Sequence, residues 1–509
     1  MALLTAYWGL DGMILMTVSI ICAYLFMTRK FLYWKKRGID EITPTPFFGN
    51  FADCFLMKKS AGDFVKELYD RSPDIRYSGF YIFDRPFLLV RDPELAKNVL
   101  VRDANYFPDR YSESSPDDKL GSSNLFIIKN PAWKLLRTKL TPIFTSGKLK
   151  RMFQLMLVVG KDLDTHLKSL NLTGSGRVVE LKELCAKYTT DLIGTTAYGL
   201  QVNSLNNPDA EFRKCGREIF EFNFWRSLEL TSIFFSPQLV KPMGFQFFSK
   251  KNTKFLRYAF WDTIKERERS GLKRNDFVDL LVELKKSQAG SEESKIFEFD
   301  GDNLVAQAAI FFTGGFETSS TTLSLTLYEL ALSPDIQTKL REEINSGIES
   351  NNGDITYDMV TTLPYLDMVV SEALRKWPPL GFLDRVANAD YKIPNSDDVI
   401  EKGTPVYISM LGLHYDPRYY PDPQKFDPER FSEENKKNRK AFVYMPFGDG
   451  PHICIGLRLG LLQVKLGLIH ILSEYEVTPC KETMIPIRQN PKSMLTAPDG
   501  GVFLNLRKI

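Results

Sequence analysis

The sequence predicts a mostly α-helical protein with small β-sheets, arranged as a single large domain behind an N-terminal transmembrane helix. Three observations carry this. The uncharged run MILMTVSIICAYLFM (13–27) extends back through LLTAYWGL with only Asp11 interrupting it. Helical periodicity dominates from PELAKNVLV (93–101) to SEALRK (371–376). Stretches with strand character are short and few.

The apolar run from Leu3 to Met27 is 25 residues long, and ~20 suffice to cross a bilayer. Its flank is basic, with Arg29, Lys30, Lys35, Lys36 and Arg37, and carries Tyr33 and Trp34 at interfacial positions. The positive-inside rule places this flank, and the chain after it, on the cytosolic side. A cleaved signal peptide fits less well, because the charges follow the apolar run and no A-x-A site closes it. Residues 1–30 are therefore expected to form a membrane anchor. Residues 31–50 are expected to form a basic linker stiffened by Pro44 and Pro46, and 51–509 the catalytic domain.

Within the domain, IRYSGFYIFDRPFLLVRD (75–92) predicts two strands joined at Asp84-Arg85-Pro86. Helices are expected near 133–145, 148–169, 178–199, 208–226 and 254–270, and again at 303–332, 334–349 and 365–376. Short strands return near 389–393, at 404–410 and close to the C-terminus. Segment 232–260 is aromatic, broken by prolines and dotted with lysine; it reads either as core or as a second membrane-facing surface.

Composition narrows the function. With 66 basic and 63 acidic side chains among 509 residues, the net charge is only +3. No basic patch interleaved with aromatics points to nucleic acid. Six cysteines, at 22, 54, 185, 215, 454 and 480, show neither C-x-x-C spacing nor a disulfide framework. The four histidines form no zinc motif. The 37 phenylalanines suit both a packed core and an apolar ligand site.

Cys454 is set apart by its surroundings. It lies in PFGDGPHICIG (446–456), on a loop shaped by Gly448, Gly450 and Gly456, directly before the helical LRLGLLQVKLGLIHIL. Amides at a helix start favour the thiolate, and glycines allow the backbone to approach a large partner closely. The same loop could present a catalytic nucleophile, although no His/Asn pairing supports one. Elsewhere, Glu372 and Arg375 sit at i, i+3 on one helix face. Gly314-Gly315 lies mid-way in a helical run, where each glycine costs ~1 kcal/mol relative to alanine.

The cysteine loop resembles the haem-binding signature of cytochromes P-450, Phe-x-x-Gly-x-Arg-x-Cys-x-Gly, through Phe447, Gly450, Cys454 and Gly456. The family's other motifs follow in order across roughly 40–505: NPAWKLLRTKL, FFTGGFETSS, SEALRKWPP and FDPERF. The details are most similar to the insect microsomal family-six type of the animal detoxification clan. The resemblance implies the cytochrome P-450 fold, with Cys454 as proximal ligand of haem b (iron protoporphyrin IX). It assigns Trp133, Arg137 and Arg385 to the haem propionates, and Phe447 to the haem pocket. His452 stands where the family usually has arginine, so its place as a propionate partner is the one departure.

Glu317 and Thr318 would guide protons to dioxygen beneath a helix distorted at the paired glycines. Glu372, Arg375 and Arg430 would form a buried network below the haem. Substrate-lining positions by resemblance are Leu125, Phe126, Phe311, Phe312, Leu380, Phe382, Leu383, Val502 and Phe503. The implied reaction is monooxygenation of a lipophilic small molecule at the cytosolic face of the endoplasmic reticulum. No G-x-G-x-x-G follows a strand, so NADPH-derived electrons must come from a partner, an NADPH-cytochrome reductase, with cytochrome b5 as a second donor. A peroxide-using or isomerising haem-thiolate enzyme would dispense with Glu317-Thr318. A non-catalytic haem binder would not consume NADPH.

Overall fold

In the computed structural model, all residues except 1–3, 6, 222, 272, 275 and 289 are described. Leu3 and Ala6 of the apolar run lie outside the described residues. The chain is 55% helical, well above the ~30–35% of an average domain, which bears out the mostly-α expectation. Nine short strands occur among the described residues: β1 (Tyr77–Ile82), β2 (Arg85–Val90), β3 (Arg177–Glu180), β4 (Leu383–Val386), β5 (Tyr391–Lys392), β6 (Val399–Ile400), β7 (Pro405–Ile408), β8 (Tyr475–Thr478) and β9 (Phe503–Lys508).

The largest sheet has the order β1-β2-β7-β4, antiparallel except where β2 runs parallel to β7. Strands β3, β9 and β8 form a second sheet, and β5 with β6 a hairpin-like pair. The β1–β2 turn falls at Phe83-Asp84, one residue earlier than the sequence suggests, because β2 begins at Arg85 and tolerates Pro86 next to the turn. β3, β4, β6 and β8 are two to four residues long, too short to leave a periodic signal.

The core is organised on a central helix, Gly301–Ala331, whose 31 residues span ~46 Å. It packs most extensively on helix Leu181–Ile193, and also on the helix that follows the cysteine loop, Leu457–Leu472. Gly467 makes the latter approach possible: a Cβ there would lie 2.7 Å from Leu323 Cδ2 and 2.9 Å from the Tyr188 ring. The central helix runs through Gly314-Gly315 without interruption. The expected distortion is absent because helical hydrogen bonding persists through the pair. Thr318 Oγ1 also donates to the Gly314 carbonyl at 2.6 Å.

Helix Trp8–Thr28 is apolar and almost wholly exposed, the one helix among the described residues long and apolar enough to cross a membrane. Residues 31–50, expected to be a linker, are instead docked on the domain. Trp34 is fully buried against Gly79, Phe31 packs on Tyr81, and Glu41 bridges to Gly79. The aromatic content of this stretch explains the docking, since a solvated linker would expose it. In segment 232–260, Phe234, Phe235, Phe245, Phe247 and Phe248 are buried, whereas Leu239, Met243 and Tyr258 face outward. Those phenylalanines belong to the core.

Candidate functional site

Between the central helix and the cysteine loop lies an internal cavity of about 340 Å³. The loop is held by its own backbone: Cys454 N–H donates to the Phe447 carbonyl at 2.9 Å. Gly448 and Gly450 adopt positive φ (71° and 69°), and a Cβ on Gly450 would lie 2.0 Å from the Leu100 carbonyl oxygen. Only glycine permits that approach. Cys454 is enclosed by protein. The surface it exposes is the cavity wall. Burial raises the thiol pKa, while the Gly456 N–H, Arg137 and Arg110 pull it back down.

Opposite stand Gly314, Gly315, Thr318, Ser319 and Thr322 of the central helix. The two glycines have different physical reasons. A Cβ on Gly314 would meet nothing within 4 Å, so its absence leaves open cavity. A Cβ on Gly315 would lie 2.3 Å from Ile193 Cδ1, so that glycine is a packing notch. Glu317 is not on the cavity wall. Its buried carboxylate pairs with Lys182 Nζ at 2.9 Å, and the same ammonium reaches Ser320 Oγ at 2.8 Å. Thr318 and Glu317, one residue apart on a helix, thus project to different sides.

One side of the cavity is cationic. Trp133 and Arg137, four residues apart on helix Ala132–Leu140, present the same face and both line it, as do Arg110 and His452. Arg385, on β4, is almost fully buried close by. These guanidinium groups have little negative charge to meet. Arg110 Nη1 lies 3.6 Å from Asp384 Oδ1 and makes no hydrogen bond. Arg385 donates to the Asp384 carbonyl, and burial, reinforced by Arg110, lowers its pKa to about 9. No described carboxylate pairs with Arg137.

His452 lies flat on the Trp133 indole (centroids 3.6 Å apart, planes at 18°) with Nε2 2.9 Å from the Pro108 carbonyl oxygen. Burial first, then Arg385, Arg110 and Arg137, push its pKa far down. His452 is expected, by resemblance, at the place of a propionate partner. The surroundings of the ring are a carbonyl and three cations instead.

The remaining wall is apolar. Of the substrate-lining expectations, Leu125, Phe126, Phe311, Leu380 and Leu383 line the cavity. Phe312, Phe382, Val502 and Phe503 do not. Phe312 turns behind the helix onto Tyr198, Phe212 and Phe316. Phe382 joins a stack with Phe235 and Tyr407. Val502 N–H is tied to Glu180, and Phe503 belongs to β9. The C-terminal segment reaches the cavity earlier, at Met494 and Leu495. Sequence reasoning also missed Arg110 and Phe144, Phe220, Phe234, Phe247 and Phe277. They lie on loops and helices where no motif distinguishes a lining phenylalanine from a core one.

On the far side of the cysteine loop, the Arg375 guanidinium bonds both Glu372 oxygens at 2.7 and 2.8 Å, with both side chains fully buried. Glu372 also accepts the Asp427 N–H at 3.0 Å and has Arg430 Nε at 3.5 Å. His414 continues the network. Its Nδ1 is 3.0 Å from the Arg375 carbonyl, and its Nε2 accepts Met445 N–H at 3.1 Å, just before the cysteine loop.

The residues present fit a haem. A thiol stands on one wall, open space left by Gly314 on the other, and an anion-poor cluster with an unspent Arg110 donor suits two propionates. Fold and site together define a haem-thiolate enzyme. The family model described as cytochrome P450 matches residues 41–505. The chain is 48% identical to cytochrome P450 6k1 of Blattella germanica, over 98% of this chain and 97% of that protein. Against probable cytochrome P450 6g2 of Drosophila melanogaster it is 44% identical, over 97% and 98%. Against cytochrome P450 6j1 of Blattella germanica it is 42% identical, over 96% of each. The chain belongs to the cytochrome P450 family. It is a haem-thiolate monooxygenase with haem b as cofactor, lipophilic substrates, and NADPH-derived electrons supplied by a redox partner.

Proposed function

We propose that this enzyme oxidises lipophilic foreign compounds or hormones at the cytosolic face of the endoplasmic reticulum, receiving electrons from a membrane-bound NADPH-cytochrome reductase and, secondarily, from cytochrome b5. The observation that carries the substrate class is the cavity lining: phenylalanines 126, 144, 220, 234, 247, 277 and 311, with no carboxylate among the described wall residues. Such a wall accepts uncharged, ring-bearing molecules by burial and edge-to-face contact. The helix Trp8–Thr28 with its basic flank supports the membrane placement.

Haem, when bound, supplies the oxygen activation. The residues of the chain have separate tasks. Cys454 would ligate the iron, its negative charge favoured by the Gly456 N–H, Arg137 and Arg110. Trp133, Arg137 and Arg110 on the cavity wall, with Arg385 buried beside His452, would hold the propionates, and Phe447 would pack in the haem pocket. Thr318, on the opposite wall, places a hydroxyl beside the open space at Gly314, where it can orient a proton. Glu317 would deliver protons only by turning from Lys182, since its carboxylate faces away from the cavity. Glu372, Arg375 and Arg430 brace the cysteine loop from behind.

The test is a panel of neutral aromatic, neutral aliphatic and anionic compounds turned over by the full-length enzyme reconstituted with reductase in vesicles. Product from the neutral aromatics is expected, with NADPH consumed in step. Preferential turnover of the anionic compounds would contradict the substrate class.

A further inference from the structure

The Pro108 carbonyl is a junction. Its oxygen accepts the Asn130 side-chain amide at 2.8 Å and faces His452 Nε2 at 2.9 Å. A carbonyl only accepts, so Nε2 is the donor there. The imidazole is fixed in plane by its stack on Trp133. The visible donor of residue 452 is therefore spent on a loop, not aimed at a ligand.

That loop is pinned along its length. Val386 N–H donates to the Asp109 carbonyl at 3.0 Å. Tyr111 and Ser112 N–H groups both donate to Asp384 Oδ2, at 2.7 and 3.2 Å. The residue so framed is Arg110, whose guanidinium lies 4.3 Å above the Phe126 ring and whose buried Nη1 stands 3.6 Å from Asp384 Oδ1, with no hydrogen-bond partner among the described residues. A backbone held at these points, carrying a long cation whose neighbouring carboxylate lies beyond hydrogen-bond range, is a preorganised anion contact.

We propose that His452 is a positioning residue: it clasps the Pro108 carbonyl and so sets Arg110, which supplies the haem-anchoring charge that position 452 does not. The family's usual arginine at 452 would bring its own charge. In this chain position 452 brings no permanent charge, and the histidine holds in register the loop that carries Arg110. The inference rests on the haem reading of the cavity.

The experiment measures haem transfer from the ferric holoenzyme to excess apo-globin for His452→Phe, His452→Gln, Arg110→Met and the double variant His452→Phe/Arg110→Met. Phenylalanine keeps a flat ring against Trp133 and removes the donor; glutamine restores a donor. His452→Phe is expected to lose haem about fivefold faster, the factor one neutral hydrogen bond is worth. His452→Gln should stay within about twofold of the parent. In the Arg110→Met background His452→Phe should add less than about twofold, because its effect passes through Arg110. Hydrogen exchange in each holoenzyme should show faster exchange at the amides of 109–112 when position 452 lacks a donor. The reduced, CO-bound spectrum of each variant separates the two readings, since a thiolate-type band shows that haem is seated whatever the transfer rates do. Equal, independent effects of the two single substitutions, or no effect of His452→Phe, would overturn the proposal.

Discussion

Lys182 Nζ lies 2.9 Å from the Glu317 carboxylate, holding it on the side of the central helix away from the cavity. Both side chains are largely buried, so the pair is a structural commitment as well as a resting place for the acid. Removing the cation alone strands a carboxylate in a poorly solvated site, which costs about 3 kcal/mol. Lys182→Met should therefore lower unfolding stability by about that amount, while Lys182→Met/Glu317→Gln should recover most of it. Chemical denaturation of the holoenzymes checks this. A double variant as unstable as the single one would mean that packing, not charge, is at stake.

The paired glycines predict opposite outcomes. Gly315→Ala drives a methyl to 2.3 Å from Ile193 Cδ1. Overpacking of this kind costs about 1–3 kcal/mol against a helix-propensity gain of about 1 kcal/mol. A net loss is expected, relieved by adding Ile193→Ala. Gly314→Ala meets no atom within 4 Å, so the propensity gain should stand while the methyl takes up space over the cavity. Its melting temperature should hold or rise as turnover falls.

Thr318 is expected to act through its hydroxyl, now held by the Gly314 carbonyl at 2.6 Å. Thr318→Ala should keep the haem spectrum and release more peroxide per NADPH, because the hydroxyl that would orient a proton beside the open space at Gly314 is lost. A product yield per NADPH equal to that of the parent would reduce Thr318 to a helix residue.

His414 predicts a pH dependence. Burial first, then Arg375, lower its pKa to about 3. The unfolded chain takes up the proton near ~6.5 and the folded chain does not. The stability that neutral His414 contributes is thus present above pH ~6.5. It is lost as pH falls towards the folded value, at up to about 1.4 kcal/mol per pH unit. Gln can serve the Arg375 carbonyl and the Met445 amide without titrating. Between pH 7 and 5, His414→Gln should lose less stability than the parent, measured by denaturant midpoint at each pH. Parallel slopes would remove His414 from the account.

The class of fold was legible because its evidence is long-range and repetitive: an apolar run of 25 residues and a series of amphipathic helices. The cysteine loop was legible because glycines at 448 and 450 mark a backbone that bulkier residues cannot adopt. Side-chain direction was not. Neighbours such as Phe311 and Phe312, or Phe382 and Leu383, differ by one position, yet only one of each pair reaches the cavity. Arg110 was hidden for another reason, since its role depends on loops at 130, 386 and 452 meeting in space. The docking of residues 31–50 was likewise missed, because prolines and lysines there outweigh one tryptophan in any local reading.

The central claim is that Cys454 ligates haem iron as a thiolate. The most direct measurement is the reduced, CO-bound absorption spectrum of the parent and of Cys454→Ser. A hydroxyl is a far poorer donor, so the parent should show the red-shifted thiolate band and the variant should lose it. An unchanged spectrum in Cys454→Ser would contradict the account.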